Sequence, residues 1–166
     1  MNDVKGRSDF LDLAIDLQTD RKYLQVAAEL ERLRKKRIIL DREAETPYLI
    51  RYYYLNLRPF VRVVIHRFIR SDIDGLHDHP WAFQNYILTG GYWEHTIEGK
   101  FWREPGYHGI AEANFLHRVE LDPEKSNHEE IWTLFMMGPK EKSWGFIDND
   151  GTWVEHKTYL ENRLKA

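Results

Sequence analysis

Gly75-Leu76-His77-Asp78-His79-Pro80-Trp81-Ala82-Phe83-Gln84 sets two histidines two residues apart, between a glycine turn and a run of strand-forming residues. On an extended chain, residues i and i+2 project to the same face about 7 Å apart at the backbone, so the two imidazoles can converge on one ion. With this histidine content a His-x-His arises by chance about 0.4 times. The surroundings therefore have to decide what the pair means.

Downstream of residue 47 the chain reads as short runs rich in β-branched and aromatic residues, at 48–57, 60–70, 81–89, 92–97, 114–121, 131–137, 144–147 and 152–159. Between them stand Asp72-Ile73-Asp74-Gly75, Gly90-Gly91, Glu98-Gly99-Lys100, Pro105-Gly106 and Asp148-Asn149-Asp150-Gly151, the turn chemistries of antiparallel hairpins. No helical pattern of 10 to 15 residues separates the runs, which disfavours a parallel α/β sheet and predicts a sandwich or barrel. Upstream the periodicity is helical. Phe10, Leu13, Ala14 and Leu17 recur at three and four residues after Ser8 and Asp9, and Tyr23, Val26, Ala27, Leu30, Leu33 and Arg37 form a second stripe, before the pattern breaks at 41–47. The expected division is a helical segment at 1–45 and a β-barrel domain at 46–166.

A third histidine stands further along the chain. His117 lies on a later expected strand, in Asn114-Phe115-Leu116-His117-Arg118-Val119-Glu120-Leu121. With this residue in place the sequence resembles the cupin (RmlC-like) superfamily over roughly residues 48–159. In that family a His-x-His is followed by a glutamate and then a glycine, and a second motif adds a further histidine. Here His77 and His79 match the pair, Gln84 stands at the glutamate position with Gly91 after it, and His117 matches the later histidine. The second motif's proline and glycine positions hold Glu112 and Asn114, and the first motif's leading glycine is Ser71. The resemblance implies an all-β jelly-roll barrel with a short N-terminal helical segment, and a divalent metal held by His77, His79 and His117. Gln84, an amide, becomes a poorer ligand or a group behind the ligands.

Three neutral imidazoles favour Fe(II), Zn, Ni, Cu or Mn over Mg or Ca, with Fe(II) or Zn first. Three protein ligands leave positions open for water, substrate or dioxygen. The expected activity is that of a metal-dependent cupin enzyme, by cupin precedent an iron dioxygenase-type oxidoreductase acting on a small polar molecule. Two other classes stand beside it. One is a non-catalytic binding or sensor cupin; the other is a metal-free sugar-nucleotide isomerase or epimerase, with His117 or His66 as base and a tyrosine as acid.

The substrate pocket is expected to draw on Arg62, His66, Trp81 and His108. Arg62, His66 and Arg70 share one face of the 60–70 run, either out toward solvent or into the barrel, where arginine would suit a carboxylate or phosphate. Trp81 lies two residues beyond His79, and His108 falls between the two motifs. Absence of cysteine excludes disulfides, thiolate ligands and a cysteine nucleophile. The formal charge of −3 offers no global attraction to nucleic acid or anionic lipid. The basic run from Arg32 to Arg37 reads as a solvated helix end. No apolar run reaches the roughly 20 residues of a membrane span, and a cytoplasmic protein is expected. The helices are expected to pack outside the barrel or against a second copy in a homodimer.

Overall fold

Strand β4 (Phe83–Thr89) is buried along its whole length, on both faces. A strand with no wet face must lie between two apolar layers, and three layers account for it. The computed structural model describes residues 2–41 and 45–165. In it, helices α1 (Asn2–Gln18) and α2 (Lys22–Arg32) cover one sheet, whose other face looks across a cavity onto a second sheet.

The first sheet has the order β1-β2-β3-β9-β4-β7, all antiparallel. Besides β4 it comprises β1 (Lys36–Leu40), β2 (Pro47–Leu57), β3 (Val61–Phe68), β7 (His108–Ala111) and β9 (Ile131–Met137). Its side chains alternate between the two layers, as a period of two demands. Tyr52, Val63, Ile65, Tyr86, Trp132 and Leu134 pack under Phe10, Ala14, Leu17, Tyr23, Ala27 and Leu30 of the helices. Arg51, His66, Phe68, Asn85, Thr133 and Phe135 face the cavity instead.

The second sheet is β6 (Gly99–Arg103), β5 (Tyr92–Thr96) and β8 (His117–Glu120). Single-residue bridges from His77 to His117 and to Phe146 join it to the hairpin of β10 (Gly145–Ile147) and β11 (Trp153–Glu155). A short second core of Ile87, Tyr92, Val119 and Ile131 ties the two sheets together. The result is a jelly-roll sandwich with an N-terminal helical layer. The Gly90-Gly91 turn between β4 and β5 is a glycine requirement. Both residues have positive φ, and a Cβ on Gly91 would lie 2.8 Å from the Arg103 carbonyl oxygen.

Three expectations are corrected at the ends of elements. The second helical stripe does not run to Arg37, because α2 stops at Arg32. Arg34 takes the left-handed conformation, with Lys35 N–H bonded to Leu30 C=O (2.8 Å) and Arg34 N–H to Glu31 C=O (2.9 Å), a Schellman stop that usually carries glycine. Lys36–Leu40 then pairs with β2 as the sheet's edge strand. The strand expected at 152–159 shortens to Trp153–Glu155 and continues as helix α3 (His156–Lys165), whose Tyr159 stacks on Phe146 at 4.4 Å. Strands β6 and β7 form where no strand run was expected. Of the break at 41–47, residues 42–44 lie outside the described residues.

Candidate metal centre

His77 and His117 face each other as an antiparallel pair that exchanges both backbone hydrogen bonds, His77 N–H to His117 C=O at 2.9 Å and the reverse at 3.0 Å. Opposed residues of such a pair project to the same side of the sheet. His79 follows by the two-residue period, its own N–H bonded to Ala113 C=O at 3.1 Å. Three imidazoles consequently meet at one end of the cavity. Their ring centroids are 5.1 to 5.3 Å apart, and one ligand nitrogen from each lies within 4.8 Å of the others.

Asp78, between the two histidines, points the opposite way and is buried. Its carboxylate accepts from Gly145 N–H (2.8 Å), Trp153 Nε1 (3.1 Å) and Lys142 Nζ (2.5 Å). One short segment thus aims two imidazoles inward and uses the intervening residue to pin the β10–β11 hairpin.

The donor chemistry suits a divalent transition metal. Nitrogens sharing an ion at about 2.0–2.1 Å stand about 3.0–3.4 Å apart, and His79 Nε2 and His117 Nε2 are 2.9 Å apart. Imidazole must be neutral to ligate. Burial, and then the neighbouring His117, His77, Arg51 and His66, hold His79 well below the usual histidine pKa.

Behind His117 stands Glu94 on β5, 4% exposed. Its carboxylate accepts from His117 Nδ1 at 2.8 Å and from Arg103 Nε at 2.8 Å. Burial raises the Glu94 pKa, but its bonds to His117 and Arg103 outweigh that and leave it below the ordinary carboxylate value. An ionised Glu94 fixes the proton on Nδ1 and leaves the Nε2 lone pair directed at the site, the arrangement that orients histidines in metal centres.

The cavity has a volume near 290 Å³. Of the residues expected to line it, His66 and Trp81 do. His66 is buried and accepts from Arg51 Nε at 3.0 Å, and burial followed by the Arg51 charge holds it well below the usual histidine pKa. Trp81 stacks on His79 with centroids 6.2 Å apart. Arg62 shares the His66 face of β3 but sits beyond the cavity wall, with its guanidinium 4.6 Å from the Trp81 ring centre.

Gln84 and His108 are corrections. Phe83 and Asn85 take the inward positions on β4, so Gln84 turns to the helix side, where its Oε1 meets His108 Nε2 at 3.0 Å. Phe10 of α1 covers His108 at 5.6 Å. Neither residue lines the cavity. Arg70, the third member of the β3 set, pairs with Asp41 at 2.6 Å. Sequence reasoning missed Glu94, Arg103, Asp78 and Arg51. The one available signal was Glu94 itself, a carboxylate two residues past Tyr92 on the cavity-facing period of β5.

Comparison with solved structures bears on the fold. The chain is similar to a cupin-2 domain protein from Rhodospirillum rubrum (TM-score 0.56, 11% identity, 70% of this chain and 76% of that one). It is also similar to a cupin 2 conserved barrel domain protein from Rhodopseudomonas palustris (0.54, 11%, 70% and 79%). This chain has the cupin fold. A third likeness is to the polyketide cyclase RemF from Streptomyces resistomycificus (0.51, 10%, 68% and 78%). No protein-family model and no curated protein matches the chain in sequence. Within this fold the histidines come from the segment before β4 and from β8, on the sheet opposite the helical layer. Among the described residues no helix is long and apolar enough to cross a membrane.

Proposed function

We propose that this cupin is a metal-dependent enzyme acting on a small polar molecule, with His77, His79 and His117 holding a divalent transition metal, Fe(II) or Zn first. Its expected form is an iron oxygenase. The observation that carries the reading is the convergence of three imidazoles on the cavity, with Glu94 orienting one of them. A bound ion would supply Lewis acidity and open positions for substrate, water or dioxygen. The chain's own residues supply the rest. Glu94 and Arg103 hold His117 in one tautomer, and Asp78 anchors the segment that carries His77 and His79. Burial favours the neutral form of His79, and the rings of Trp81, Phe135 and Trp144 line the cavity beside the site.

Elemental analysis of protein purified without an affinity tag tests the metal. The expected result is near-stoichiometric iron or zinc, lost in His77→Ala, His79→Ala and His117→Ala and kept in His128→Ala and His156→Ala. Oxygen uptake by Fe(II)-loaded protein with candidate small molecules tests the oxygenase form. A wild type that neither contains nor takes up a transition metal would overturn the enzyme reading in favour of a binding module. Turnover without metal that is lost in His117→Ala would favour the isomerase class, with His117 as base.

A further inference from the structure

The cavity wall opposite the histidines carries one cation. Arg51, on the inward face of β2, is the single lysine or arginine lining the cavity among the described residues. Its Nε donates to His66, a neutral partner, its side chain also hydrogen-bonds the Tyr53 hydroxyl, and no carboxylate of the described residues forms an ion pair with its guanidinium. The acids that share the cavity are engaged elsewhere. Asp41 is held by Arg70 and Thr46, and Asp74 by Arg163. Asp72 accepts from the Tyr48 hydroxyl with one oxygen and from Val119 N–H (2.6 Å) with the other.

A largely buried guanidinium needs a counter-charge or a full set of acceptors, since an isolated buried charge is costly. The His66 nitrogen and the Tyr53 hydroxyl supply two acceptors, and the planar fork has five donors. Around it the walls are apolar and aromatic. The Phe135 ring stands 5.2 Å from the His66 ring and 6.4 Å from the His79 ring, so it forms the floor between the cation and the histidine cluster.

We infer that the cavity's ligand is a small carboxylic acid with an apolar or aromatic body, its carboxylate on the Arg51 guanidinium beside His66 and its body across Phe135 toward the histidines. This rests on the proposed function only in calling that ligand the substrate; the binding site itself does not require a metal. Arginine fits a planar carboxylate in a paired geometry. A phosphate dianion would call for a second cation, and the cavity lining offers none. Burial lowers the Arg51 pKa from its ordinary value, which favours whatever brings an anion to it.

The test is calorimetric titration of the full chain with benzoate, benzamide, acetate and inorganic phosphate, both as purified and after dialysis against chelator. Benzamide copies the shape of benzoate without the charge, and acetate keeps the charge without the body. Benzoate is expected to bind at least tenfold more tightly than each of the other three, in the metal-free protein as well. Arg51→Gln should remove that preference while metal content and the exposed control Arg32→Gln stay as in wild type. Equal binding of benzoate and benzamide, tighter binding of phosphate, or unchanged benzoate affinity in Arg51→Gln would each overturn the inference. Loss of benzoate binding on removing the metal would do so too, by placing the anion on the ion. If Arg51→Gln does not fold, the four-ligand comparison on wild type decides alone. A protein that contains no metal yet prefers benzoate supports this inference while overturning the enzyme reading.

Discussion

Replacing Glu94 by glutamine keeps the shape of the side chain and removes the charge of a carboxylate that touches the histidine cluster. In the folded protein this carboxylate is 4% exposed and accepts two hydrogen bonds of 2.8 Å, from His117 and Arg103. A hydrogen bond to a charged group contributes about 1.5–3 kcal/mol and a neutral one about 1 kcal/mol. Glutamine can still accept one of the two, and Arg103 loses its counter-charge, so the expected cost is about 2 kcal/mol. For a domain of this length that corresponds to a fall of about 4–8 °C in Tm. Metal affinity should fall about 10- to 100-fold, the usual effect of losing the group that orients a ligating histidine. Competition with a chromogenic zinc chelator reads the affinity, and thermal melts of chelator-dialysed protein read the stability term by itself. The sign with pH is fixed. Since the folded Glu94 pKa lies below its unfolded value, its contribution is full above the ordinary carboxylate pKa and fades as pH falls through the folded one. The gap between wild type and Glu94→Gln should therefore close in acid. A folded Glu94→Gln protein with wild-type melting and zinc affinity within twofold would refute the orienting role.

Gln84→Glu, which would strengthen the site if residue 84 faced it, should leave metal affinity within twofold of wild type because the side chain meets His108 under α1; a tighter site would show that β4 is oriented the other way. His66 is neutral in the fold with its pKa depressed, so the unfolded chain binds the extra proton and stability falls as pH drops below about 6.5, by up to about 1.4 kcal/mol per pH unit until the folded pKa is reached. Denaturant melts of metal-free protein between pH 5 and 7.5 should show this slope, reduced in His66→Gln; equal slopes would remove His66 as its source. Gly145→Ala would place a Cβ 2.1 Å from the Val154 carbonyl oxygen, a backbone atom with little room to yield, and should cost about 2 kcal/mol or more in urea unfolding. Unchanged unfolding would mean that the β10–β11 hairpin is not held as described.

The strands were legible where local chemistry and the global fold agree. The β-branched and aromatic runs at β2, β3 and β9 and the Gly90-Gly91 turn carry their instructions within a few residues, and so does the same-face projection of His77 and His79. The helical stripe of Phe10, Ala14 and Leu17 likewise names its own buried face. Element ends were less legible. Arg34 stops α2 in a conformation that sequence statistics assign to glycine, and Trp153-Val154-Glu155 has the alternation of a longer strand before Tyr159 is drawn onto Phe146 in a helix.

What the sequence by itself determined was a β-rich chain with a helical start and a histidine pair able to share one ion. Which residues stand behind that pair depended on contacts between segments far apart in the chain. Glu94 reaches His117 across 23 residues, Asp78 reaches Gly145 across 67, and Arg51 meets His66 across two paired strands. Gln84 went the other way, because β4 lies between two apolar layers and both of its faces are buried. On such a strand the sequence shows no polar side to mark as the outside. Only the packing of the helices against one face and the cavity against the other settled which residues look at the histidines.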